Sequence, residues 1–67
     1  MKLIELKDDN DELIILDATT VVSAHKSLRR GNSVVHYVKD GWHDGIYVNN
    51  TVAEIKEILQ EALNGES

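Results

Sequence analysis

The sequence predicts a small α+β fold: an antiparallel β-meander of four to five strands followed by one C-terminal α-helix packed on one face. Three observations predict it. Short apolar, β-branched runs recur through the first fifty residues; Asp/Asn/Gly clusters separate them; and one sustained helical period follows. With 67 residues, the chain (1–67) is expected to form a single domain.

The first two strands are expected at about 2–7 and 12–17, around Leu3-Ile4-Glu5-Leu6 and Leu13-Ile14-Ile15-Leu16. Between them, Asp8-Asp9-Asn10-Asp11 favours a turn because short carboxylate and amide side chains bond nearby backbone N–H groups. Thr19-Thr20-Val21-Val22-Ser23-Ala24 is β-branched and predicts a third strand over 20–25. Lys26 to Asn32 is polar and ends in Gly31-Asn32, a loop signal. A fourth strand follows over 33–39 and a fifth over 45–49, joined by a loop with two Asp-Gly pairs, Asp40-Gly41 and Asp44-Gly45.

The helix is predicted over 51–63. Thr51 and Glu54 have capping-box spacing, and Val52, Ile55, Ile58, Leu59, Ala62 and Leu63 form one apolar stripe. Gly65 stands where a helix end favours a residue tolerant of positive φ. A helix of about twelve residues is ~18 Å long and covers only part of one sheet face. Yet Leu13, Ile14, Ile15 and Leu16 are apolar on both faces of their strand, where a half-exposed strand should alternate. These four residues are therefore the expected self-association surface, and a dimer is the expected assembly.

Charge is unevenly spread. Net charge is −5 overall, with −4 over residues 1–24, +4 over 25–39 (Lys26, Arg29, Arg30 and Lys39, with no acid) and −5 over 40–67. The acidic balance argues against general binding to nucleic acid or an anionic membrane. The basic island reads either as a solvated loop loosely paired with Asp8–Glu12 or as a contact for an acidic partner. No apolar run approaches the ~20 residues of a membrane span. The start Met1-Lys2-Leu3-Ile4-Glu5 does not read as a secretory signal, so the expected location is cytoplasmic.

Several runs together carry a family resemblance: Met1-Lys2-Leu3-Ile4-Glu5-Leu6, Leu16-Asp17-Ala18, Ser33-Val34-Val35-His36-Tyr37-Val38, Asp40-Gly41, Ile46-Tyr47-Val48 and the helix start Thr51-Val52-Ala53-Glu54-Ile55. In this order they resemble the small flagellar FlbD (SwrD) family and FlbD-like proteins of bacteria and their phages. The resemblance implies the same strands-then-helix layout and carries over no catalytic residue. The chain departs from the family pattern at Asp8-Asp9-Asn10-Asp11 and at Asp17, where the family has Asn-Gly and Asn, and at Asn49-Asn50, where it has Lys-Glu.

Chemistry-bearing constellations are few. Without cysteine there is no disulfide, thiolate or Cys-based metal site. His25, His36 and His43 are competent ligands, but no pair has the spacing of a metal motif, and no metal or cofactor is expected. Ser23, Ser27 and Ser33 lack a nucleophile elbow, and no Gly-rich phosphate loop exists. The sequence does not read as an enzyme.

Trp42, the only tryptophan, reads either as a plug folded into a small core or as a protruding interface anchor. In the second reading Trp42, Tyr37, Tyr47, Arg29 and Arg30 make the partner-binding patch, and Glu54, Glu57 and Glu61 make a secondary acidic face. The expected function is a non-enzymatic protein-binding module that self-associates and modulates a larger host protein. A phage-encoded inhibitor of a host defence or nucleic-acid enzyme fits its size and acidity. The alternatives are a nucleic-acid-binding regulator using the 26–30 loop and a FlbD-like flagellar accessory protein.

Overall fold

A computed structural model describes residues 2–64. The expected order of elements is present: β1 (Leu3–Lys7), β2 (Leu13–Asp17), one 3-10 turn (Ala18–Thr20), β3 (Val21–Lys26), β4 (Ser33–Lys39), β5 (Trp42–Val48) and α1 (Val52–Asn64). This is a small α+β fold with antiparallel strands and one C-terminal helix. The strands divide into two sheets, β1-β2 and β3-β4-β5, with the 3-10 turn in the chain between β2 and β3. A bridge between Asp8 and Val48, with the Asn49 amide donating to the Lys7 carbonyl (2.7 Å), ties the end of β1 to the end of β5. Among the described residues no helix is long and apolar enough to cross a membrane.

Each hairpin has a local cause. At the first turn the Asp8 carboxylate accepts from the Asn10 and Glu12 amides, both at 2.9 Å, and Asp11 takes a left-handed φ of 64°. Between β4 and β5 only Asp40 (φ 51°) and Gly41 (φ 83°) turn the chain, as a type I′ hairpin requires. The fifth strand therefore begins at Trp42, opposite Lys39, and not at 45. The second Asp-Gly pair, Asp44-Gly45, lies inside that strand instead of in a loop, and Asn49, expected inside it, falls beyond its end. The loop from Ser27 to Asn32 is held by the Ser27 hydroxyl, which accepts from the Arg29 and Arg30 amides (both 3.2 Å).

The core lies between α1 and the inner faces of both sheets. Ile4, Leu6, Ala18, Val35, Val48 and Ile55 are buried, and Ile14, Leu16, Val21, Ala24, Ile46, Ile58, Leu59 and Ala62 pack around them. β1 alternates strictly, with Ile4 and Leu6 inward and Leu3, Glu5 and Lys7 outward, as a sheet with one covered face demands. Ser33, the one buried polar residue described, donates its hydroxyl hydrogen to the Asn50 carbonyl at 2.7 Å, so its burial leaves no unmet hydrogen bond.

The helix starts on a reciprocal capping box. The Glu54 amide donates to the Thr51 hydroxyl (3.2 Å), and the Thr51 amide donates to the Glu54 carboxylate (3.0 Å). The Gly65 cap lies outside the described residues.

Candidate interaction surface

β2 divides the four residues expected to mediate self-association. Ile14 and Leu16 pack on the core, while Leu13 (55% exposed) and Ile15 (56%) point outward. In the β1-β2 register Leu3, opposite Asp17, lies on that same outer face and is 60% exposed. The helix covers the inner face of the hairpin only. Three large aliphatic side chains therefore share the outer one, interleaved with Glu5 and Lys7.

Trp42 is 78% exposed, so it does not plug the core. It pairs with Lys39 across the hairpin, and the next pair on the same face is Tyr37 with Asp44, whose side chains approach to 3.5 Å. Tyr47 is an odd number of residues from Trp42 along an unbroken strand, so it points to the opposite face. The expected grouping of Trp42 with Arg29, Arg30 and both tyrosines is thus corrected in two respects. Tyr47 is on the other face, and the 27–32 loop adjoins the Ser33–Val48 end of the sheet, whereas Trp42 sits at the Lys39 end. Six strand steps separate those ends, about 20 Å.

The basic loop has local partners of its own. The Arg30 guanidinium lies 5.8 Å from the Tyr47 ring centroid and forms a 2.8 Å ion pair with Asp9 of the first turn. This is the contact with the first turn that one of the two readings of the island calls for, made among the described residues by Arg30. Arg29 and the neighbouring Leu28 are exposed. On α1, Glu57 and Glu61 are exposed, while the Glu54 carboxylate is engaged in the cap.

Asp17 caps the 3-10 turn. Its carboxylate accepts from the Thr19 hydroxyl (2.7 Å) and amide (3.0 Å), and those bonds, led by the hydroxyl, hold its pKa below the ordinary value.

The three histidines, set aside in the sequence for want of a motif spacing, are brought into line by the strand registers. They lie on three adjacent strands, one each on β3, β4 and β5, and all on the outer face of that sheet. The registers place Ser23 opposite His36, His25 opposite Val34, and Val38 opposite His43. The rings follow one diagonal, with His25 5.0 Å from His36 and His36 5.6 Å from His43, centroid to centroid. The only sequence signal for this is the shared even spacing of His36 and Val38, which becomes informative once the two-residue turn fixes Val38 opposite His43.

No protein family, curated protein or solved structure matches the chain.

Proposed function

We propose that this protein is a non-enzymatic binding module that pairs with a second copy of itself and acts in the cytoplasm by contacting a larger protein. The observation that carries this reading is the outer face of the β1-β2 hairpin, where Leu3, Leu13 and Ile15 are each more than half exposed. Clustered aliphatic groups on a small domain mark an association surface. A chain of this length buries only about 60% of its unfolded surface, so covering that face also stabilises it. Trp42 and Tyr37, at the far end of the other sheet, are the anchor offered to the partner; exposed tryptophan is enriched at interface hot spots. The acidic balance suits a partner with a basic groove, as an inhibitor of a nucleic-acid enzyme would require. The FlbD-like resemblance is compatible with the same mode of action.

Sedimentation equilibrium at high micromolar concentration tests the pairing. The expected result is a dimer, converted to the 7.5 kDa monomer by Leu13→Glu combined with Ile15→Lys. A wild-type monomer under those conditions refutes it. For the second surface, Trp42→Ala is expected to leave the circular dichroism spectrum intact and to weaken binding to a partner captured from host lysate by about 2 kcal/mol or more. Undiminished binding removes Trp42 from the interface.

A further inference from the structure

We propose that His25 and His36 form a binding site for a divalent transition-metal cation of the imidazole-preferring class, Cu2+, Ni2+ or Zn2+, on the outer face of the three-stranded sheet. The two residues are diagonal neighbours on paired strands, and their Nε2 atoms stand 2.9 Å apart. Two metal–nitrogen bonds of about 2.0–2.1 Å span about 2.9 Å when they meet at a right angle and about 3.4 Å at the tetrahedral angle. The backbone register thus already sets the bite that a chelating pair needs. The cation sits off the line joining the nitrogens, and each ring turns about χ2 to face it.

The hydrogen-bond partners favour the same reading. His25 Nδ1 lies 3.0 Å from the Lys26 carbonyl oxygen, which only accepts, so the neutral ring carries its hydrogen on Nδ1 and keeps a lone pair on Nε2. This is the tautomer, and the outer contact, that a metal-bound histidine has. In the metal-free protein His36 therefore donates its Nε2 hydrogen to His25. To bind the cation, His36 gives that hydrogen to water and takes one on Nδ1, leaving its charge unchanged and freeing its Nε2 lone pair. Its Nδ1 faces Gly45; a Cβ there would stand only 3.3 Å away, a tight contact, and glycine leaves the nitrogen that must receive the hydrogen free of it.

His43 lies beyond His36, its ring 5.6 Å away and within 12° of parallel, outside the chelating pair. Among the described residues no group of three His, Asp or Glu donors is placed to hold a metal ion, so the site has two protein ligands and water completes the shell. With nitrogen donors and open positions, Cu2+ is expected to bind more tightly than Ni2+ or Zn2+.

The test is calorimetric titration of the full, tag-free chain with Cu2+ and with Zn2+. It is paired with NMR of the histidine imidazoles at substoichiometric Cu2+, which needs no variant. One Cu2+ per chain is expected, with the His25 and His36 ring signals broadened first. His25→Gln and His36→Gln, each checked for an unchanged circular dichroism spectrum, should weaken binding by about tenfold or more, and His43→Gln should leave it near the wild-type value. The proposal is overturned by the absence of saturable binding up to millimolar Cu2+, by broadening centred on the acidic first turn, or by undiminished affinity in His25→Gln and His36→Gln. An equal loss in His43→Gln overturns the assignment of two ligands.

Discussion

Gly31 and Gly41 form a matched pair whose comparison isolates one steric contact. Both have φ in the left-handed region, +58° and +83°, so alanine at either costs about 1 kcal/mol from the backbone alone. Their surroundings differ. A Cβ on Gly31 falls 2.6 Å from the Val48 carbonyl oxygen and 3.1 Å from its carbon, whereas a Cβ on Gly41 meets nothing within 4 Å. Val48 has no exposed surface, and its carbonyl accepts the Asn32 amide at 2.8 Å, so it has nowhere to retreat. Relief requires the 27–32 loop to lift from β5, loosening that hydrogen bond and stranding a buried acceptor, a further cost of about 2 kcal/mol. Gly31→Ala should therefore destabilise by about 3 kcal/mol and Gly41→Ala by about 1 kcal/mol. Urea unfolding followed by far-UV circular dichroism measures both, with an unchanged m-value confirming that the difference lies in the native state. Equal losses within about 0.5 kcal/mol would show that the loop is not held against Val48, and the account of this end of the sheet would fail.

Three further outcomes follow from other contacts. Thr51→Ala removes the hydroxyl that accepts the Glu54 amide and should cost about 1 kcal/mol, while Thr51→Ser retains most of it; matching urea midpoints for the alanine variant and the wild type would contradict the capping geometry. Asp11→Gly relieves a left-handed φ of 64° at a residue whose side chain holds no described hydrogen bond, and should raise the thermal midpoint, the backbone gain of about 1 kcal/mol being partly offset by a freer unfolded chain. A lowered midpoint would mean that the carboxylate does more there than its geometry indicates. Asp17 has a lowered pKa in the folded protein, so its contribution is complete above the unfolded aspartate value of about 3.9 and is lost as pH falls through the lower folded value. Asp17→Asn should flatten the acid limb of the stability–pH curve, and superimposable limbs would remove the Thr19 contacts as its cause.

Much of the fold was legible because its causes are local. Thr51 and Glu54 announce the helix start through a three-residue spacing, and the carboxylate of Asp8 builds the first turn from amides two and four residues away. The fifth strand was misplaced by three residues because Asp40-Gly41 and Asp44-Gly45 are the same dipeptide. Only the first has positive φ at both positions; the second is extended within a ladder, with Asp44 opposite Tyr37. The candidate interaction surface was harder to read, because nearness in sequence is not nearness in an antiparallel hairpin. Arg30 and Trp42 are twelve residues apart along the chain yet adjoin opposite ends of the sheet. The alignment of His25 with His36 depends on a loop from Ser27 to Asn32 whose register is set by Gly31 and the Ser27 hydroxyl. A loop of that length lies outside the short hairpin turns whose residues announce a register.

Trp42 also decides which optical signals describe this molecule. It is the only tryptophan, there is no phenylalanine, and the indole stands 78% exposed at the rim of the sheet. Its surroundings are nearly as wet in the native state as in urea, so intrinsic fluorescence will follow unfolding poorly and will understate cooperativity. The same exposure gives the native chain a water-like emission with nothing to mask a change. A protein that seats on this rim will shift the emission to shorter wavelength without any label, while pairing through the β1-β2 hairpin leaves it unmoved. Fluorescence and sedimentation would therefore read the two surfaces independently, in one sample.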